Sequence, residues 1–130
     1  MLKMSPHRYA QIGAVFGGLS VVIGAFAAHA LKQRITGGAL DTVETGVRYQ
    51  FIHAVALLAA GVAGKDLWKI RKIQWACQCW ALGVLLFSGS LYLMVATGWR
   101  GFGAVTPWGG AALIFGWLLM ALGLGRGDGR

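Results

Sequence analysis

The segment Ala76–Val95 has the sequence ACQCWALGVLLFSGSLYLMV, and none of its residues is charged. A soluble helix of this length would carry a polar face, but here the polar side chains are few and scattered. Roughly 20 predominantly apolar helical residues cross the hydrocarbon core of a bilayer. The segment therefore predicts a membrane-spanning helix rather than a helix of a soluble domain.

Three similar apolar stretches fill most of the rest of the chain. The whole chain has 130 residues, of which 57% are apolar and 21 are glycines. Lipid offers no hydrogen-bond partners, so spanning segments must be helices or closed barrels, and no stretch alternates apolar and polar residues as barrel strands do. We therefore expect one all-α membrane domain over residues 1–130, folded as a bundle of four transmembrane helices. The predicted spans are about 9–31, 47–64, 75–97 and 107–125.

The net charge of +8 would suggest a nucleic-acid surface in a soluble protein, but the basic residues here lie between the apolar stretches. They indicate topology, because cytoplasmic loops of membrane proteins carry an excess of Lys and Arg. The side expected to be cytoplasmic holds Lys3, Arg8, Lys65, Lys69, Arg71, Lys72, Arg126 and Arg130, and the other side holds Lys32, Arg34, Arg48 and Arg100. We therefore expect a multi-pass protein of a bacterial inner membrane with both termini in the cytoplasm.

Two helix starts and one surface segment are marked by local sequence. Ser5-Pro6 and Thr106-Pro107 each supply an N-cap residue followed by proline, which suits the first helical position. Apolar and charged residues of the segment 40–48 fall on opposite helical faces. This pattern predicts a short amphipathic helix at the outer membrane interface, just before the second span.

Small residues in the first span recur at three- and four-residue steps and form one narrow stripe. A neighbouring helix can approach closely along such a stripe. We expect it to serve packing within the bundle, and an oligomer face is the alternative. The predicted packing positions are Gly13, Gly17, Ser20 and Gly24 on the first span and Gly116 on the fourth.

Polar side chains at membrane depth are the first functional candidates, because placing them in hydrocarbon is unfavourable unless they have partners or water. Depths counted from the span ends at 1.5 Å per residue place several of them in the outer half of three spans. The sequence thus predicts a polar layer or ligand site formed by His29, Arg48, Gln50, His53, Ser88, Ser90 and Tyr92.

Two accounts of this layer stay open at the level of sequence. In the first, the side chains satisfy one another by hydrogen bonds between helices. In the second, they line a water-filled cavity open to the outside, where imidazoles, which ordinarily titrate near neutral pH, bind a proton, a metal ion or a small anion.

Catalytic signatures are missing from the sequence. It has no HExxH, GxSxG or P-loop motif, and its four acidic residues all lie outside the predicted spans. Cys77 and Cys79 point to nearly opposite faces of a helix, and two histidines make a poor metal site. We therefore expect no catalytic residue, metal or cofactor, and a membrane enzyme acting on lipid or quinone is the least favoured possibility.

Four motifs in order resemble the signatures of domain-of-unknown-function family 423. They are the segments 24–31 (GAFAAHAL), 49–54 (YQFIHA), 86–92 (LFSGSLY) and 106–110 (TPWGG). That family consists of small bacterial inner-membrane proteins related to the eukaryotic transmembrane protein 256 group. The resemblance covers essentially the whole chain and implies four membrane helices, but it implies no settled activity.

The sequence therefore favours a non-enzymatic membrane component that self-associates or supports another membrane protein. Its expected partners are the lipid bilayer and further copies or another membrane protein, with no nucleic acid and with any small ligand unknown. The alternative function is a small oligomeric transporter or channel component that uses the polar layer as an outward-facing site.

Overall fold

The computed structural model describes residues 4–29 and 38–126. Four long helices, α1 (Pro6–His29), α2 (Gly38–Val62), α4 (Arg71–Thr97) and α5 (Thr106–Arg126), make up most of it. A single helical turn, α3 (Lys65–Trp68), joins α2 to α4, and a 3-10 helix, Arg100–Ala104, joins α4 to α5. The described residues contain no strand, which confirms the predicted all-α class.

Within the residues that the structure describes, three segments are long and apolar enough to cross a membrane: Pro6–His29, Arg71–Thr97 and Arg100–Gly125. The remaining long helix, α2, has 25 residues but does not share that apolar character. Arg48, Gln50 and His53 lie in its middle, where the other long helices carry no charged residue and no histidine. The predicted count of four spans therefore depends on whether these polar side chains of α2 face the protein interior or the lipid.

The helices pack in chain order, α1 on α2, α2 on α4 and α4 on α5. Glycines allow the helices to approach closely at two of these contacts, α1–α2 and α4–α5. A Cβ atom on Gly13 would lie 2.7 Å from the Ala54 carbonyl oxygen, and one on Gly61 would lie 2.6 Å from the Ala10 nitrogen. Both positions between α1 and α2 therefore require glycine, because a side chain there would push the two helices apart. Helices in lipid associate through close packing of this kind.

The seam between α4 and α5 is built from glycines seven residues apart on α5. A Cβ atom on Gly116 would lie 2.6 Å from Trp80 Cδ1, and one on Gly123 would lie 2.8 Å from Ile73 Cδ1. Gly109 abuts the backbone of Phe87 even more closely. Seven residues are almost two helical turns, so the three glycines lie on the same face of α5.

The other predicted packing positions of α1 are looser. Cβ atoms on Gly17 and Gly24 would find ordinary contacts, 3.8 Å to Ala54 Cβ and 3.4 Å to Val47 Cγ1. Ser20 is buried, and its hydroxyl donates to the Phe16 carbonyl one turn earlier in its own helix, at 2.8 Å. Of the predicted positions on α1, only Gly13 is therefore at a close approach to α2.

The two predicted helix starts differ in their chemistry. The Arg8 amide donates to the Ser5 hydroxyl at 3.4 Å, as at an N-cap. At α5, the carbonyl of Val105 accepts the amides of Trp108 and Gly109, so the helix is entered from the preceding 3-10 turn. Thr106 does not act as the cap, because its hydroxyl lies 2.6 Å from Ser90 Oγ. Pro107 follows within the first turn of α5.

The segment expected to lie at the membrane interface is instead the first part of α2. The helix runs unbroken from Gly38 to Val62. Val43 on the apolar face is only 3% exposed, whereas Asp41 and Glu44 are exposed. The predicted amphipathic pattern is present, and Val43 on its apolar face packs against protein.

Candidate functional site: the polar layer

Gln50 connects three helices. Its side chain is only 4% exposed. The amide nitrogen Nε2 donates to the Phe16 carbonyl of α1 at 2.8 Å, and Oε1 accepts from the Tyr92 hydroxyl of α4 at 2.8 Å. The donor and acceptor ends of this amide thus each have a partner on a different helix, which fixes the position of α2 relative to α1 and α4.

Ser88 ties α4 to α2 through the backbone. Its hydroxyl, on a side chain 1% exposed, donates to the Gly46 carbonyl at 2.7 Å. A Cβ atom on Gly46 would lie 2.6 Å from Tyr92 Cε1. The absence of a side chain at residue 46 therefore lets α4 come within hydrogen-bond distance of that carbonyl.

Ser90 ties α4 to the start of α5. Its hydroxyl donates to the Phe87 carbonyl at 2.9 Å and lies 2.6 Å from Thr106 Oγ1. A serine hydroxyl has one proton, so with that proton on Phe87 the Thr106 hydroxyl is the donor to Ser90. The predicted helix-start residue Thr106 thus belongs to the layer's hydrogen-bond network.

His53 is 3% exposed and has a partner at each ring nitrogen. Nδ1 lies 2.6 Å from the Tyr49 carbonyl oxygen, and Nε2 lies 2.9 Å from Trp117 Nε1. A carbonyl only accepts and an indole N–H only donates, so this arrangement assigns the proton to Nδ1 and the lone pair to Nε2. His53 is therefore the neutral tautomer here, and it connects α2 to α5.

Tryptophans surround this histidine. The Trp117 ring centroid lies 5.7 Å from that of His53, and the Trp80 centroid lies 4.5 Å from Trp117. Trp80 is 1% exposed, and its Nε1 has no hydrogen-bond partner among the described residues. Sequence reasoning missed Trp117, although its place in the middle of α5 was a signal, because membrane tryptophans ordinarily concentrate at the interfaces.

The structure does not bring His29 and Arg48 into the layer. Both are exposed. Gly13 faces Leu58 and Gly24 lies beside Val47, so His53 is level with about residue 18 of α1. At 1.5 Å per residue, His29 lies roughly 16 Å farther along the bundle. Depth counting failed for His29 because α1 runs past the layer before it ends.

The layer thus comprises Gln50, His53, Ser88, Ser90 and Tyr92, together with Thr106 and Trp117. Each of their hydrogen bonds described above ends on another protein group. Among the described residues, no group of three or more His, Cys, Asp or Glu side chains is placed to hold a metal ion. What this arrangement does chemically is hold helices in register, since satisfied polar groups add to helix association in lipid.

Comparison with known proteins identifies relatives along most of the chain. The model of the family described as "Protein of unknown function (DUF423)" matches residues 23–110. A UPF0382 membrane protein of Haemophilus influenzae is 34% identical over 90% of this chain and 93% of its own length. The UPF0382 inner membrane protein YgdD of Escherichia coli K12 is 36% identical over 85% of this chain and 83% of its own.

A UPF0382 membrane protein of Staphylococcus saprophyticus is 35% identical over 86% of this chain and 92% of its own length. No solved structure matches the chain. The family match and these identities across nearly full-length relatives agree with the resemblance carried by the four sequence motifs. On this basis the chain belongs to the DUF423 family.

Proposed function

We propose that this membrane protein is a non-enzymatic, four-span component of the bacterial inner membrane that associates with its own copies or with another membrane protein. One observation carries the proposal: the polar side chains of the layer are bonded to one another and to backbone inside the protein. Side chains engaged in this way stabilise a bundle, and they are not free to bind a solute.

The side chains of α2 support its role as the fourth span. Gln50 and His53 point inward and are hydrogen-bonded, so they meet no lipid. The outward side of the same helix presents Phe51, Val55 and Leu58, which are 41% to 50% exposed. A helix with an apolar outer face and a satisfied polar inner face can cross a bilayer.

The charges support an orientation with both termini in the cytoplasm. The turn between α2 and α4, together with the first two residues of α4, holds the densest basic cluster of the chain: Lys65, Lys69, Arg71 and Lys72. Cysteines introduced at Asp41 and Lys69, near the start and just beyond the end of α2 in a cysteine-free variant, should react with a membrane-impermeant maleimide from opposite sides, Lys69 from the cytoplasm. Labelling of both from the same side would contradict four spans.

An unused face of α1 supports self-association. Ala14 and Gly18 are exposed and lie one turn apart, and a Cβ atom on Gly18 would meet nothing within 4 Å. A small-residue pair of this spacing permits close approach of a second helix. We expect Gly18→Leu to reduce the oligomeric mass in detergent, with Gly89→Leu on α4 as the matched control because that position is equally open.

Ligand protection tests the proposal against transport. His53→Ala should lower the resistance of the purified protein to unfolding in detergent, and no soluble ion or metabolite should raise that resistance saturably. A saturable protecting solute, or pH-dependent flux in proteoliposomes that a His29→Ala/His53→Ala variant abolishes, would overturn the proposal in favour of a transport site.

A further inference from the structure

A cavity of about 660 Å³ lies at the end of the bundle opposite His29. It is formed where the start of α1 meets the end of α2 and the turn α3. Its wall is partly apolar, with Pro6, Val62 and Trp68, and partly basic, with His7, Lys65 and Lys69. A soluble anion would contact only the basic part of this wall, and a hydrocarbon chain would contact only the apolar part.

Contacts behind the wall hold it in shape. The Trp68 ring lies 5.4 Å from that of the buried Tyr9, and the Trp68 carbonyl accepts from Gln74 Nε2 at 2.7 Å. Gly64 has φ of 116°, a conformation that favours glycine, and it turns the chain sharply between α2 and α3. The aromatic wall is thus fixed from α1 and from α4.

Positive charge at the rim exceeds the negative charge beside it. Lys69 Nζ lies 3.2 Å from Asp66 Oδ1, and both side chains are largely exposed. Lys65 forms no ion pair with any part of the chain that the structure describes. The rim therefore retains a lysine available to an external anion.

We propose that this cavity binds one anionic phospholipid, with the phosphate at Lys65 and Lys69 and the upper part of an acyl chain against Val62 and Trp68. The assignment goes beyond the proposed function, since a scaffold needs no defined lipid. Basic residues beside tryptophan at the end of a span lie at headgroup depth, where anionic lipids carry the phosphate. The apolar wall selects a lipid over free phosphate.

Lipid titration of the purified protein tests the assignment by native mass spectrometry. The probes are phosphatidylglycerol, phosphatidylcholine with the same acyl chains, and glycerol 3-phosphate. We expect one saturable phosphatidylglycerol molecule per chain, weaker phosphatidylcholine binding and no saturable glycerol 3-phosphate binding. Lys65→Gln/Lys69→Gln should weaken phosphatidylglycerol binding by at least about tenfold, since each lysine loses a charge-assisted contact to the phosphate.

Two further variants separate a defined site from general attraction of lipid to a basic surface. Arg71→Gln/Lys72→Gln removes the same charge from the same end but alters no residue that lines the cavity, so its affinity should stay within about twofold of the unaltered protein. Val62→Trp fills the apolar part without changing charge and should weaken binding as well. The helix content of each variant, measured by circular dichroism, verifies folding.

Several results would overturn the lipid site. Equal losses in the two double-charge variants would mean attraction to the whole basic end. Equal affinity for the two lipids would mean that a net anionic headgroup is not recognised, and glycerol 3-phosphate binding as tight as that of the lipid would mean that the acyl chain contributes nothing. Unchanged binding in Val62→Trp would show that the lipid does not occupy the cavity. None of these results bears on helix association.

Discussion

At the scale of the residue, the account depends on side chains with two partners. Gln50 and His53 each use both ends of a polar group, one toward their own or a neighbouring backbone and one toward a side chain of another helix. Removing one member of such a network leaves the other members buried and unpaired. That loss is costlier than the bond alone, because a buried donor or acceptor without a partner is itself unfavourable.

Replacement of Gln50 tests this directly. Gln50→Leu should lower the free energy of unfolding by about 1–3 kcal/mol, because the Tyr92 hydroxyl loses its acceptor. Unfolding of the purified protein by sodium dodecyl sulfate measures the change. Gln11→Leu, at an exposed position of α1, is the control and should change little. An equal effect of the two substitutions would contradict the role of Gln50.

The His53–Trp117 bond gives a second residue-scale prediction. His53→Phe, Trp117→Phe and the double variant form a cycle whose coupling energy should be about 0.6 kcal/mol, and at most about 1.7 kcal/mol, as for other hydrogen bonds between membrane helices. The same unfolding assay reports all three. Strictly additive losses would mean that the 2.9 Å contact contributes nothing to stability.

At the scale of the element, glycines determine how closely the helices approach. Gly116 faces Trp80 and Gly13 faces the backbone of α2, so an added side chain at either place must push two helices apart. Gly116→Ala should therefore destabilise the protein by about 1–3 kcal/mol. Gly18→Ala, where a Cβ meets open space, should be neutral or stabilise by up to about 1 kcal/mol. Thermal unfolding in detergent compares them, and equal effects would refute the seam.

The sequence predicted the bounds of the helices better than it predicted which helix surfaces contact each other. Apolar length determines where a membrane helix runs, and α4 ends at the predicted Thr97. Register depends on which backbone surfaces touch, so the facing of Gly13 and Leu58 could not be deduced from either helix alone. That is why the depth of Gln50, Ser88 and Tyr92 was estimated well enough to group them, whereas His29 was grouped wrongly.

The mid-helix tryptophans show a second limit of sequence. Trp80 and Trp117 meet only when α4 and α5 pack at Gly116, and neither helix alone indicates this contact. An aromatic residue in an apolar run is compatible with lipid and with protein alike. The partner of His53 therefore became visible only in the packed structure.

At the scale of the whole molecule, four long helices are joined in chain order by two glycine seams and one polar layer. The layer joins α2 to α1, α4 and α5 and also joins α4 to α5 at Ser90 and Thr106, and the seams lie at α1–α2 and α4–α5. This division explains how α2, which we propose as the fourth span, can carry polar residues in its middle. The central claim is that the layer is dry and closed to both sides of the membrane.

Reactivity of a thiol inside the layer measures that claim most directly. Ser88→Cys, made in a variant without Cys77 and Cys79, places a near-isosteric thiol at a side chain that is 1% exposed. The account predicts no reaction with a small charged thiosulfonate in membrane vesicles of either orientation, while Thr97→Cys, exposed at the end of α4, reacts. Reaction of the Ser88→Cys variant at a rate similar to that of Thr97→Cys would show a water-filled cavity and contradict the account.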